Sequence, residues 1–181
     1  MRISRWFTVK NNYVCTSSYL SNGYSNVEKQ LNNPDVCKKI DKATKSKISD
    51  DFLIVARIES LILEKGIKDA LKRAEAYSKA GADAILIHSK EKKPTEIFNF
   101  ARKFKNSKYY KPMVAVPSTY SATREKDLIK EGFKIVIYAN HLLRAAYPAM
   151  LGVAKDILRN QRSLESESKI VPIKEIINLI K

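Results

Sequence analysis

From residue 51 onward the chain alternates short unbroken apolar runs with longer stretches that are apolar only at every third or fourth position. The runs FLIVARI (52–58), AILIH (84–88), MVAV (113–116) and KIVIYA (134–139) are rich in branched residues. That is the pattern of strands buried on both faces. Between the first two, 66–80 places Ile67, Ala70, Leu71, Ala74 and Tyr77 on one helical face. Gly81 ends that helix, because glycine takes a left-handed cap without steric penalty. Pro94 opens a second helix with Ile97, Phe98, Ala101 and Phe104 as its stripe. Ser121 is placed to cap a short helix through Leu128 and Ile129, closed by Gly132. A long helical stretch, 142–160, contains Pro148, which must sit in a first turn or at a kink. Residues 171–181 form a short amphipathic helix. Upstream, 27–47 has a weak helical period through Val27, Leu31, Val36 and Ile40. Asn32, Asn33 and Pro34 interrupt it, so the helix begins near Pro34. Residues 1–24 show no period and are expected to be irregular or disordered.

Four apolar strands alternating with helices imply an α/β fold, with a parallel sheet covered by helices in barrel or doubly wound form. No GxGxxG or Walker A loop follows any strand, which argues against a nucleotide site. The 181 residues fall below the roughly 200 that a complete (βα) barrel needs. No stretch reaches the ~18 apolar residues of a membrane helix, and the N-terminus lacks the apolar core of a signal peptide. Cys15 and Cys37 have no metal or redox spacing. A reduced, cytoplasmic setting without membrane contact is expected. The net charge of +15 comes mostly from lysines dispersed among acids. Lys68, Lys72 and Lys79 fall opposite the stripe of Ile67, Leu71 and Ala74. This is the arrangement of a solvated coat rather than a nucleic-acid footprint. The same field favours a small anionic substrate.

In parallel α/β proteins the chemistry gathers at the C-terminal ends of strands. Those ends carry Arg57 and Glu59, then His88 and Ser89, then Pro117, Ser118 and Thr119, then Asn140 and His141. Arg57 and Glu59 share one strand face. A guanidinium there either pairs with Glu59 or forks onto a phosphate or carboxylate ligand. His88 either takes a structural hydrogen bond or meets an oxyanion. Asn140 either caps the following helix or presents that helix N-terminus to an anion. No Ser–His–Asp arrangement, HExxH or DxD is present at a strand end.

Residues 54–90, IVARIESLILEKGIKDALKRAEAYSKAGADAILIHSK, closely resemble the fifth and sixth (βα) units of the phosphoenolpyruvate mutase family, in the isocitrate lyase superfamily. IVIYANHLLRAA (135–146) resembles its eighth strand and following helix. SLESESKIVPIKEIINLIK (163–181) resembles its C-terminal segment, and 27–46 more weakly the helix before the fifth strand. The resemblance implies a partial TIM-type barrel, about strands five to eight with flanking helices, over residues 25–181. It implies interconversion of phosphoenolpyruvate and phosphonopyruvate in phosphonate biosynthesis, and a need for Mg2+. By resemblance, Arg57 grips the phosphoryl group and His88 contacts the same end of the substrate. Glu59, Ser89, Ser118 and Asn140 are weaker substrate-binding candidates. The metal-binding acids, the nucleophilic aspartate and the lid belong to units with no counterpart here. The chain is therefore expected to be a truncated or split form. It is expected to work as a homo-oligomer or with a complementing N-terminal half. The alternatives are a phosphonopyruvate hydrolase or other superfamily lyase, a non-catalytic fragment or assembly subunit, and a basic nucleic-acid module suggested by charge alone.

Overall fold

The structure, a computed structural model, describes residues 33–179 and the backbone of 5–9. By its internal contacts the chain divides into two units, Met1–Tyr138 and Ala139–Lys181. The first holds a parallel sheet whose described strands run β1 (Arg5–Val9), β2 (Phe52–Ile58), β3 (Ala84–Ile87), β4 (Met113–Ala115) and β5 (Phe133–Val136). The intervening helices are α1 (Asn33–Lys45), α2 (Gly66–Lys79), α3 (Thr95–Lys105) and α4 (Glu125–Lys130).

Strand order follows chain order, β1-β2-β3-β4-β5. A doubly wound sheet reverses its order at a switch point, and a barrel does not. The burial pattern agrees. Helix residues Val36, Ile40, Ala70, Ala74, Tyr77, Ile97, Phe100, Phe104 and Leu128 pack with Ile54, Ala56, Ile58, Ile85, Ile87, Met113 and Ala115 in one core. The opposite face holds Val55, Ala84, Leu86 and Val114, with Val116 and Ile135 against them. That second cluster contains strand residues only, so the described helices cover one face and strand side chains line the other. Alternation along each strand produces both faces at once. The periodicity left barrel and doubly wound forms open; the structure selects the barrel type.

The strand β1 lies within 1–24, where no element was expected. Its residues Arg5 to Val9 pair in parallel with Phe52 to Ala56. A five-residue strand next to polar sequence offers too short a run for periodicity to register. The rest of 1–24, with Val27, Leu31 and Cys15, lies outside the described residues.

Two local devices fix the helix–strand joints. Gly81 has φ +105°, and a Cβ there would meet Thr44 Oγ1 at 2.6 Å. Thr44 Oγ1 donates to the Gly81 carbonyl at 3.2 Å, so α1 and the α2–β3 turn close on each other. Asp83 Oδ2 accepts from the Ile54 amide at 2.7 Å and from Lys47 Nζ at 2.6 Å, which registers β3 against β2. The expected Ser121 cap is not used. α4 begins at Glu125 after Arg124 in an extended conformation, and the segment from Ser118 instead turns through a Thr123 amide bond to the Tyr120 carbonyl at 3.0 Å.

The second unit contains α5 (His141–Asn160), a 3₁₀ turn (Leu164–Lys169) and α6 (Ile173–Asn178). Pro148 lies in the interior of α5, past the first turn. Gln161 ends α5 in the left-handed region, φ 53°, its amide bonded to the Ile157 carbonyl at 2.7 Å. No residue of α5 or α6 is buried.

Phe104 is fully buried and stacks on Phe100 with centroids 5.5 Å apart, while its neighbour Lys103 is exposed. Phe104→Ala is expected to lower unfolding free energy by about 3–5 kcal/mol. Lys103→Ala should change it by less than ~0.5 kcal/mol. Urea denaturation checks both. Equal costs would show that the helix stripe is misassigned.

Candidate anion site at the strand ends

The register of β2 and β3 sets Arg57 opposite Leu86. Two residues further along each strand, on the same strand-lined face, come Glu59 and His88. The apolar floor of Val55, Ala84, Leu86 and Val114 thus gives way at its C-terminal edge to a guanidinium, a carboxylate and an imidazole.

The three side chains form one cluster. Arg57 Nη2 lies 2.9 Å from His88 Nδ1. Arg57 Nε forms an ion pair with Glu59 Oε1, and His88 Nδ1 lies 3.5 Å from Glu59 Oε2. Their exposure differs in a way that sorts their roles. The Glu59 side chain is 2% exposed, whereas Arg57 and His88 keep 22% and 23%. The carboxylate sits behind, and the two nitrogen-bearing groups remain open to a ligand. Burial pushes the Glu59 carboxyl up, but the adjoining His88 and the Arg57 charge outweigh it and hold the carboxyl below its usual range. Glu59 stays ionised at neutral pH with its charge compensated locally.

Behind this cluster, the residues after β2 are locked to α2. Ser60 Oγ donates to Asp69 Oδ2 at 2.6 Å, Arg73 Nε donates to the same oxygen at 2.9 Å, and Arg73 Nη1 donates to Tyr77 Oη at 3.1 Å. Burial raises the Asp69 carboxyl, and the Ser60 and Arg73 hydrogen bonds bring it below its ordinary value. The strand end that carries Arg57 and Glu59 is therefore followed by a partly buried polar staple. Sequence reasoning missed it, although Asp69 and Arg73 stand at the i, i+4 spacing of a helical ion pair.

The other candidates are placed differently. Ser89 is buried; its hydroxyl donates to Glu96 Oε2 at 2.7 Å and accepts the Glu91 amide at 3.1 Å, while its carbonyl accepts Thr119 Oγ1 at 2.8 Å. It ties the β3 and β4 loops to α3. Ser118 is partly exposed just beyond β4, its amide bonded to the Val116 carbonyl at 2.8 Å. Asn140 stands at the N-cap position of α5 in the second unit, without a side-chain capping bond, and its carbonyl accepts the Arg144 amide at 3.0 Å.

Residues 21–158 match the family model described as phosphoenolpyruvate phosphomutase. The chain belongs to the phosphoenolpyruvate phosphomutase family. It is 42% identical over 139 residues to a phosphoenolpyruvate phosphomutase of Tetrahymena pyriformis, covering 76% of this chain and 45% of that protein. It is equally 42% identical over 144 residues to a phosphonopyruvate hydrolase of Variovorax sp., covering 78% of this chain and 48% of that one. The solved phosphoenolpyruvate phosphomutase of Streptomyces platensis subsp. rosaceus superposes with a TM-score of 0.84 at 32% identity, over 96% of this chain and 58% of that one. A phosphonopyruvate hydrolase solved with oxalate and Mg++ superposes with a TM-score of 0.80 at 33% identity, covering 96% and 58% respectively. The chain thus spans about half the length of the curated relatives it matches. The α/β fold is that of the family's TIM-type barrel enzymes, in partial form.

Among the described residues, no group of three or more His, Cys, Asp or Glu is arranged to hold a metal ion. The one carboxylate of the cluster, Glu59, is buried against Arg57 and His88. The Arg57–Glu59–His88 cluster itself therefore offers no free carboxylate to a Mg2+ ion. Likewise, no described helix is long and apolar enough to cross a membrane.

The compensation of Glu59 has a pH signature. Its folded pKa is depressed, so its stabilisation is present above the usual carboxylate value and is lost as pH falls through the folded value. Glu59→Gln is expected to cost about 3 kcal/mol at neutral pH, the scale of breaking a buried pair. That cost should shrink as pH drops below the ordinary glutamate value of ~4.5. Urea titrations of both proteins between about pH 7 and 3.5 check this; a pH-independent difference would exclude the charge as its source.

Proposed function

We propose that this chain carries the phosphoryl-gripping part of a site that interconverts phosphoenolpyruvate and phosphonopyruvate. The observation that carries this reading is the open Arg57–His88 pair, 2.9 Å apart, at the strand ends of the lined face. It supplies donors to an anion at the edge where barrel enzymes place their chemistry. Family membership supports the substrate class.

In the reaction the phosphoryl group passes between the enol oxygen and the methylene carbon of the three-carbon unit, so one of the P–O and P–C bonds forms as the other breaks. Arg57 donates to phosphoryl oxygens and offsets their charge through the transfer. His88 donates beside it. Glu59 holds both groups in place without competing for the ligand, because it is buried behind them. Ser89 has a scaffolding part in this reading. Ser118 remains within the same sheet edge as a minor candidate, and Asn140 has no assigned contact.

A relative solved with oxalate and Mg++ makes Mg2+ the expected counter-ion of the family. In this reading its ligands lie outside the Arg57–Glu59–His88 cluster. We propose that a complementing segment supplies them, with this chain acting as one part of a split or truncated enzyme in the cytoplasm. Homo-oligomerisation belongs to the same proposal. The second reading is phosphonopyruvate hydrolysis, favoured by the equal 42% identity to the Variovorax protein. The anion site serves either reaction. The product separates them: phosphoenolpyruvate for the mutase, pyruvate and inorganic phosphate for the hydrolase.

The chain alone is expected to show no Mg2+-dependent turnover of phosphonopyruvate by 31P NMR above a no-enzyme control. With an N-terminal family half supplied, turnover should appear. Arg57→Ala should then lower kcat/KM at least about 30-fold, or ~2 kcal/mol. Turnover by the chain alone would sink the complementation proposal. Unchanged kinetics in Arg57→Ala would reduce Arg57 to an ion-pair partner of Glu59.

A further inference from the structure

The contacts of His88 determine more than its position. Its Nδ1 faces two groups of opposite hydrogen-bonding character, Arg57 Nη2 at 2.9 Å and Glu59 Oε2 at 3.5 Å. A guanidinium nitrogen only donates, and a carboxylate oxygen only accepts. A single ring nitrogen with one in-plane site satisfies one of them. The 2.9 Å approach is a hydrogen bond, and the 3.5 Å approach is too long for a good one. Nδ1 is therefore the acceptor.

We propose that His88 works as the neutral Nε2–H tautomer, set by Arg57, with Glu59 as the positioning residue for the pair. This rests on the reading of Arg57 and His88 as the phosphoryl-binding groups. Arg57 is itself oriented through Nε by Glu59, so the order of control runs from buried carboxylate to guanidinium to imidazole. What the cluster offers a ligand is then donors alone: the guanidinium N–H groups not used internally, and the ring Nε2–H. Such a pair takes a group that only accepts, a fully ionised phosphoryl or phosphonyl oxygen. An ammonium group of a ligand would set donor against donor.

Long-range 1H–15N correlation on the imidazole nitrogens tests this directly, because the chain has two histidines and His141→Gln assigns the other. At about pH 8, above the ordinary histidine range, His88 should show an unprotonated Nδ1 and a protonated Nε2. Arg57→Lys, which keeps a donor, should preserve that pattern. Arg57→Met should invert it, since Glu59 is then the neighbour left for Nδ1 and accepts its proton. A protonated Nδ1 in the wild-type chain overturns the proposal, and that reading stands even if Arg57→Met fails to fold. Titration with inorganic phosphate should move the Nε2 resonance. If the tautomer is as proposed and phosphate moves nothing, the phosphoryl-binding reading fails while the tautomer assignment holds.

Discussion

A carboxylate with 2% of its side chain exposed at the end of a sheet is tolerable only if its charge is met on the spot. An unpaired buried charge costs several kcal/mol. Glu59 meets that condition through the Arg57 guanidinium on its own strand, with His88 of the next strand 3.5 Å away. The parallel register that sets Arg57 opposite Leu86 brings them together. Everything specific about this edge follows from that constraint. The carboxylate is spent on holding its partners, and the partners retain the solvent-facing surface that an anion can use.

The two faces of the sheet divide the remaining labour. One is closed by α1 to α4 over a continuous apolar core with Tyr77, Phe100 and Phe104 at its centre. The other is lined by small and branched strand residues that end in the charged cluster. Ser60, Asp69, Arg73 and Tyr77 pin the chain leaving β2 back onto α2. Asp83 and Thr44 pin the entry to β3. The strand end that carries Arg57 is therefore held from both sides by partly buried hydrogen bonds, which suits a site that must present fixed donors.

Much of this was legible in the residues. The run at 52–58 is a strand over its whole length, those at 84–88 and 113–116 lose their last residue, and that at 134–139 becomes Phe133–Val136; Arg57 stood out because an arginine in an apolar strand requires a partner. Of the two readings of Arg57, the structure shows the ion pair, through Nε to Glu59, with Nη2 set on His88. Other features were not legible. β1 was too short and too polar at its flanks to show a period. Ser121 had the chemistry of a cap, but the turn around Tyr120 and Thr123 delayed the helix to Glu125. Ser89 sat at the right edge in sequence, yet its parity in the strand points it to Glu96 and the loop network.

The central claim is that Glu59 and Arg57 act as a coupled pair from which the site is built. A double-mutant cycle with Arg57→Met and Glu59→Gln, measured by urea denaturation at neutral pH, tests it most directly. The account predicts strong coupling: the double variant should be more stable than the sum of the single losses implies, by about 2 kcal/mol or more, because each single change strands the other partner. Additive losses within ~0.5 kcal/mol would contradict it, and would leave Arg57 and Glu59 as neighbours without a shared role.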